Sequence, residues 1–278
     1  MIPRTIKLYD RVMIKLFLLL FVFASLGAIL SGLLGVGGGI VFVPLLDFFY
    51  GQFDLQVNEI PRYILANSIT ATLLASTTSA IKHYKNGARV YRKSLKIAST
   101  AIFSSLLVTY SITQMDWYQI KDFKMIFLSL LLLVAIKMLL PIKEKVMSQS
   151  NQKYFFVGLL TGVVAALSGL GGGVIMVPLL TFYCGEKLKK SSQISITAIA
   201  FFMLPNALYY LLSIPELPLS NHLGYVNIFA QVIIFCAVFI FSPLGIRLAN
   251  NLSNRLIQSI FATLLLLIVI RYVVQIFY

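Results

Sequence analysis

Two glycine triplets are the residues of this sequence whose types and spacing most clearly suggest chemistry. Each interrupts an apolar stretch and is followed five residues later by a proline, and we interpret these prolines as marks of a helix break. In apolar surroundings, the main-chain N–H groups at such a break lack hydrogen-bond acceptors. The helix that follows also points the positive end of its dipole at the break. The pattern predicts an anion site. The residues are Gly37, Gly38, Gly39 and Pro44, and Gly171, Gly172, Gly173 and Pro178.

Polar side chains that could assist such a site follow each triplet. Ser68-Ile69-Thr70-Ala71 recurs as Ser195-Ile196-Thr197-Ala198, and hydroxyls can donate to the oxygens of an anion. The alternative is that each hydroxyl bonds a carbonyl of its own helix or a neighbouring helix. With the six glycines, the predicted substrate-binding residues are Asn67, Ser68, Thr70, Ser195 and Thr197.

Acidic residues are scarce in the apolar segments. Asp47 alone lies within one, near its end, where we expect a solvated helix-end carboxylate, while Glu59 and Glu186 fall in predicted loops. A cation transporter or proton pump normally places a carboxylate in the membrane. The distribution therefore favours an anionic substrate or passive conduction.

The composition requires a membrane around these residues. Of the 278 residues 59% are hydrophobic and 12% charged, with a mean hydropathy of +0.90, so polar residues cannot cover a water-soluble globule. The net charge of +14 comes from cations between apolar runs, which indicates membrane orientation and not nucleic-acid binding. Nucleotide-binding, zinc-protease and hydrolase motifs are absent, so we predict no enzyme activity, cofactor or metal.

The chain contains an internal duplication. Residues 33–46 recur as 167–180 with nine of fourteen positions identical, and further blocks follow in the same order. We predict a first repeat over 1–140, a cationic linker over 141–153 and a second repeat over 154–278. Long apolar segments lie at 14–34, 62–82, 94–114, 124–140, 154–170, 192–213, 224–246 and 255–277, and short ones at 40–50 and 174–183.

The predicted fold is an all-α polytopic membrane protein of two homologous repeats, each with about four spans and a glycine-broken, re-entrant half-helix. A continuous helix over 14–50 would be about 55 Å long, nearly twice the hydrocarbon thickness, so it must fold back. If the repeats are inverted, 15 Lys and Arg lie inside and 7 outside, whereas parallel repeats give 14 and 8. We favour inversion, and we expect the N-terminal apolar segment to be a retained span and not a signal peptide.

The segments 32–46 and 166–180 resemble the paired glycine-rich signatures of the TauE/SafE family of sulfite and organosulfonate transporters. The resemblance covers nearly the whole chain, although Asn67 and Ile194 stand where the family usually has threonine. It implies a multi-pass carrier of the bacterial inner membrane whose partners are a small sulfur oxyanion and the bilayer, with a homo-oligomer possible. We therefore expect a secondary transporter, in the direction of export, that works by alternating access between the repeats. A gated anion channel and a scaffold subunit without transport are the alternatives.

Overall fold

The computed structural model describes residues 4–34, 37–51, 55–56, 58–85, 87, 89–139, 150–216, 218–219 and 221–277. Each apolar segment found in the sequence corresponds to one helix. The first five helices are α1 (Arg4–Leu34), α2 (Gly39–Tyr50), α3 (Glu59–Lys85), α4 (Tyr91–Gln114) and α5 (Ile120–Leu139). The rest of the described chain forms α6 (Asn151–Ser168), α7 (Gly173–Phe182), α8 (Leu188–Leu212), the hairpin β1 (His222–Leu223) and β2 (Val226–Asn227), α9 (Ile228–Asn251) and α10 (Asn254–Phe277).

The expectation of an all-α membrane protein is confirmed. Among the described residues, α3, α4, α8 and most of α9 are long and apolar enough to cross a membrane. Helix α6 begins at Asn151, so the last three residues of the predicted linker belong to this helix. Residues 141–149 of that linker lie outside the described residues.

Both glycine triplets break a helix, as predicted. Gly37 and Gly38 have φ angles of 77° and 78°, and Gly171 and Gly172 have φ angles of 72° and 70°. Residues with a Cβ rarely adopt this left-handed conformation, so glycine is needed to end one helix and start another within a few residues.

Pro44 and Pro178 do not break the helices, which corrects the interpretation from sequence. Both lie inside the short helices α2 and α7, which continue through them. Each proline is the sixth residue of its helix, so it removes a single i→i−4 hydrogen bond, to the carbonyl of Ile40 in α2 or Val174 in α7. Burial of Val43, Leu45 and Leu46 around the first proline holds the helical path.

Each short helix folds back along the long helix before it. A Cβ added at Gly38 would lie 3.0 Å from the carbonyl oxygen of Gly27, and the ring of Phe42 also packs against Gly27. In the second half, a Cβ at Gly172 would lie 3.0 Å from the carbonyl oxygen of Thr161. The pairs α1–α2 and α6–α7 are therefore helical hairpins, each with a glycine turn at its tip.

Hydrogen bonds between helices define their relative directions. Along α4 and α8, Ser94 bonds the carbonyl of Ile194, and Thr109 bonds Asn206, so these two helices run parallel. Helices α3 and α9 are also parallel, because Asn67 contacts Gln231 and Ser79 contacts Ser242.

Helices α3 and α8 therefore begin at opposite ends of the bundle, because α3 and α4 are consecutive and antiparallel. Near the start of α3, Arg62 reaches Asp116, just beyond the end of α4. Ahead of α8, Glu186 meets Lys93 at the start of α4. We call these the Glu59 end and the Glu186 end.

An ion-pair cluster around a buried glutamate lies at each end. At the Glu59 end, Glu59 is 0% exposed, pairs with Arg62 at 2.6 Å and accepts a hydrogen bond from Tyr225. At the Glu186 end, the 3% exposed Glu186 is held by Lys93 and by the Tyr154 hydroxyl at 2.6 Å.

Three acidic residues are thus more buried than the sequence led us to expect. Glu59 and Glu186 were assigned to loops and Asp47 to a solvated helix end, yet Asp47 is only 4% exposed and lies 3.9 Å from Lys124. Glu186 and Asp47 each face a cation from another helix, while Glu59 pairs with Arg62 one turn further along α3. Packing of neighbouring elements around each carboxylate removes the water from around it.

We predict that Glu186→Gln lowers the free energy of unfolding by about 2 kcal/mol at pH 7, because it replaces the buried carboxylate that pairs with Lys93 and accepts from Tyr154 by a neutral amide. Burial alone raises the pKa of Glu186, but Lys93, Tyr154 and Lys190 outweigh it and hold the pKa below its usual value of 4.5. The stabilisation is therefore complete above pH 4.5 and disappears as the pH falls through the lower folded-state pKa.

Thermal unfolding in detergent at several pH values measures this difference between the variant and the unchanged chain. Glu216→Gln is the matched control, because Glu216 is exposed. A difference that stays constant as the pH falls well below 4.5 would contradict the assigned role of the carboxylate.

Candidate functional site

The two glycine tips meet in the middle of the bundle. A Cβ added at Gly39, in the first tip, would lie 2.7 Å from the Cα of Leu170 in the second tip. The methyl group of Thr72 lies between the tips, because it would be 2.8 Å from a Cβ at Gly37 and 2.4 Å from a Cβ at Gly171. Thr72 is halfway along α3, so the contact lies at mid-depth.

The tips are unwound and closely packed at the same time. All six glycines of the triplets are buried, and a Cβ added at Gly37, Gly38, Gly39, Gly171 or Gly172 would lie less than 3.0 Å from a neighbouring atom. The geometry shows that the glycines serve both helix breaking and close helix packing.

Two helix N-termini converge on this contact. Helices α2 and α7 begin at Gly39 and Gly173, and neither has a side-chain cap, since the N-cap residues are Gly38 and Gly172. The first turn of a helix leaves N–H groups without helical acceptors and carries about half a positive charge. The first turns of α2 and α7 therefore offer main-chain N–H donors at the centre of the bundle, beside the C-terminal ends of α1 and α6.

Three hydroxyl groups close to the tips have no hydrogen-bond partner among the described residues. These are Thr72 Oγ1, Ser195 Oγ and Thr161 Oγ1, and all three residues are 0% exposed. The side chain of Thr161 lies against Gly172, where an added Cβ would be 2.3 Å from its methyl group. Ser195 lies one turn before Ile199 on α8, and a Cβ added at Gly37 would lie 3.5 Å from the side chain of Ile199. A buried hydroxyl without a partner costs free energy, so a group that donates or accepts there would bind favourably.

Ser68 supports the second tip directly. Its hydroxyl donates to the carbonyl oxygen of Gly169 at 2.7 Å, which satisfies a main-chain group exposed by the break. The corresponding serine in the second half is Ser195, whose hydroxyl is unpaired in the described part of the chain. These two serines, predicted from their repeated register, both lie beside the tips.

Thr70 and Thr197 do not donate toward the tips in this structure. Thr70 bonds the carbonyl of Ala66 at 2.8 Å, and Thr197 bonds the carbonyl of Gln193 at 2.8 Å. This is the local alternative considered from the sequence, in which threonine bonds the preceding turn of its own helix. Their repeated register reflects equivalent positions on α3 and α8.

Asn67 is a fully hydrogen-bonded structural residue. Its amide nitrogen contacts the Tyr50 hydroxyl at 2.7 Å and the carbonyl of Tyr225 at 2.9 Å, and its oxygen accepts from the N–H of Asn227 at 2.8 Å. Gln231 also contacts this oxygen. Asn67 therefore ties the end of α2, the β-hairpin and the start of α9 to α3, and it closes the centre from the Glu59 end.

Thr72 is the site residue that the sequence did not single out. Its counterpart in the second half is Ile199, so it failed the criterion of a repeated polar residue. Thr72 could have been identified from its position one helical turn after Ser68, because this spacing places both side chains on one face of α3.

The architecture is that of a membrane transporter: crossing helices surround two buried, interrupted helices whose tips meet at mid-depth. The profile of the family described as sulfite exporter TauE/SafE matches residues 19–272. The chain belongs to the TauE/SafE family, as its glycine-rich signatures suggested.

Two relatives are named as probable membrane transporter proteins. The protein from Methanocaldococcus jannaschii is 24% identical over 250 residues, which cover 89% of this chain and 91% of the relative. The protein from Haemophilus influenzae is 27% identical over 264 residues, which cover 93% of this chain and 98% of the relative. No solved structure matches the chain.

We predict that Gly171→Ala destabilises the fold more than Gly87→Ala. Both positions have positive φ angles, +72° and +85°, so alanine is strained at each by about 1–2 kcal/mol. Only at Gly171 would the new Cβ also collide with the methyl of Thr72, whereas Gly87 has nothing within 4 Å. Thermal unfolding of the purified variants measures the difference.

Thr72→Ser tests the cause of this difference, because serine keeps the hydroxyl and removes the methyl group. In a double-mutant cycle, Gly171→Ala should destabilise the protein less when Thr72→Ser is also present than when Thr72 is unchanged. Additive effects of the two substitutions would contradict the contact between Thr72 and Gly171.

Proposed function

We propose that this protein is a secondary transporter that exports a small sulfur-containing oxyanion, such as sulfite or an organosulfonate, across the bacterial inner membrane. One observation carries the proposal: two uncapped helix N-termini, α2 and α7, converge at mid-depth beside the unpaired hydroxyls of Thr72 and Ser195. The family description supports sulfite as the type of ion.

The charge distribution supports an anion over a cation. The buried carboxylates of Asp47, Glu59 and Glu186 lie away from the tips, and each faces a cation at the position described above. Asp47 is eight residues after Gly39 on α2, which is about 12 Å along the helix. The centre is thus lined by N–H dipoles and hydroxyls, which stabilise negative charge.

The proposed binding mode uses the main chain of Gly37–Gly39 and Gly171–Gly173 with the hydroxyls of Thr72 and Ser195. Ser68 supports the second tip, and Thr70 and Thr197 could contribute only by leaving the carbonyls that they now bond. Because the tips touch in this structure, they must separate slightly to admit the ion. Its oxygens would then replace the contact between the tips.

We also propose that the halves are inverted repeats. Corresponding helices α3 and α8 start at opposite ends, and the two hairpins bring their tips together from opposite ends. The packing between the halves is reciprocal. Helix α1 of the first half packs on α9 of the second half. The corresponding helices are α6 and α4, and α6 of the second half packs on α4 of the first half. An exchange of this kind between halves is what a pseudo-two-fold axis in the membrane plane would produce.

Cations concentrate at the Glu186 end, which supports a cytoplasmic location for that end under the positive-inside rule. The Glu59 end would face outward. The described cations near the Glu186 end are Lys82, Lys85, Arg89, Arg92, Lys93, Lys96, Lys137, Lys153, Lys187, Lys189, Lys190, Arg247 and Arg255, and those near the Glu59 end are Arg62, Lys121, Lys124 and Arg271 together with Arg4, Lys7, Arg11 and Lys15 at the start of α1.

Alternating access would open one end at a time. The Glu59 end is closed by Asn67, Tyr50 and the hairpin, and the Glu186 end by the cluster of Lys93, Glu186 and Tyr154. Both closures are present together, which corresponds to an occluded state. Rocking of one half against the other would open one closure while the other holds.

We predict that Thr72→Val and Ser195→Ala each weaken sulfite binding about tenfold or more without loss of stability. A hydrogen bond to a charged group contributes about 1.5–3 kcal/mol, whereas neither hydroxyl has a described protein partner to lose. Counterflow of labelled sulfite in proteoliposomes measures the affinity, and thermal unfolding measures the stability. Thr197→Val is the matched control, because that hydroxyl bonds its own helix.

Several outcomes would contradict the proposal. If the unchanged chain shows no sulfite or sulfonate counterflow, it is not a carrier for these ions, and single-channel currents would indicate a gated anion channel instead. If both variants lose stability and keep their affinity, the hydroxyls are structural. Equal loss of affinity in Thr197→Val would place the ion elsewhere on α8.

A further inference from the structure

A groove separate from the central site runs between α1, α2 and α10. Its volume is about 570 Å³, and its walls are apolar apart from one side chain. Phe23, Leu26 and Phe48 in its walls are 41%, 49% and 43% exposed, so the groove opens on the outside of the bundle. In a membrane protein this surface faces lipid acyl chains.

Arg271 is the charged side chain among the residues that line this groove. Its guanidinium donates to the carbonyl oxygen of Pro44 at 3.3 Å. Among the described residues, no carboxylate lies within 4.0 Å of this guanidinium. The nearby Asp47 attracts it at longer range but lies closer to Lys124, at 3.9 Å. Two cations and one carboxylate leave a surplus of one positive charge at this end of the groove.

The position of Arg271 along α10 places this charge near the membrane surface. It lies six residues before Phe277, the last described residue of α10, which is about 9 Å along the helix. The long arginine side chain can extend its guanidinium from this depth toward the headgroup region. From there the groove descends past Leu267 and Leu26 to Val41, close to the first glycine tip.

We propose that this groove binds one anionic phospholipid, with Arg271 on the phosphate and an acyl chain along α1, α2 and α10. Guanidinium matches phosphate in a bidentate geometry, and an exposed arginine in a lipid-facing position is costly without an anion. An anionic headgroup is favoured over a zwitterionic one because its net charge neutralises the surplus, which a choline group would oppose. The site does not depend on the proposed transport function.

The test adds dioleoyl phosphatidylglycerol or dioleoyl phosphatidylcholine to the purified chain in detergent and follows thermal unfolding. Phosphatidylglycerol should raise the unfolding midpoint by about 5 °C more than phosphatidylcholine, because it binds the folded state. Arg271→Gln should abolish this preference. Arg255→Gln should retain it, because Arg255 is exposed at the opposite end of α10 and does not line the groove.

A second pair of variants tests the acyl-chain portion of the site. Leu267→Trp should fill the groove and reduce the shift, while Leu266→Trp, at a neighbouring exposed position outside the groove, should not. The proposal is overturned if both lipids stabilise equally, or if Arg271→Gln keeps the preference. It is also overturned if glycerol phosphate alone raises the unfolding midpoint as much as phosphatidylglycerol does. The same holds if Arg271→Gln and Leu267→Trp disrupt a dimer of the protein but leave the stabilisation by lipid unchanged.

Discussion

Main-chain hydrogen bonding in apolar surroundings is the constraint on which this structure depends. At each glycine triplet a helix stops in the middle of the bundle, and the N–H and C=O groups there cannot be satisfied by lipid. The protein solves this by folding each short helix back on the preceding one and by bringing the two tips together. Ser68 supplies a hydrogen bond to Gly169, and Thr72 packs between Gly37 and Gly171.

The arrangement of charge follows from the same constraint. Buried carboxylates occur toward the two ends of the bundle, where Arg62 pairs with Glu59 on the same helix and Lys93 reaches Glu186 from α4. The centre instead contains helix N-termini and hydroxyls, which carry partial charges. A site of this type can bind an anion and release it, because it offers dipoles and not a full opposite charge that would hold the ion tightly. In the proposed mechanism, the two ends would open and close around the ion by breaking and remaking discrete ion pairs.

The sequence was most informative where the backbone has few alternatives. Positive φ angles require glycine, so the helix breaks at both triplets could be predicted. The role of the prolines could not, because a proline near a helix start is compatible with either a break or a continuous helix. Asn67 illustrates a similar limit for side chains. It looked like a donor for substrate, yet Tyr50, Tyr225, Asn227 and Gln231 use its hydrogen-bonding groups.

The sequence by itself determined the membrane setting, the helix segments, the two glycine breaks and the family, because these depend on local composition and spacing. Only the tertiary structure decided which hydroxyls are unpaired, that Thr72 lies between the tips, and that Glu59, Glu186 and Asp47 are buried. These features depend on contacts between helices from different parts of the chain. Such contacts are fixed by the packing of the whole bundle and leave no mark in the spacing of residues along one segment.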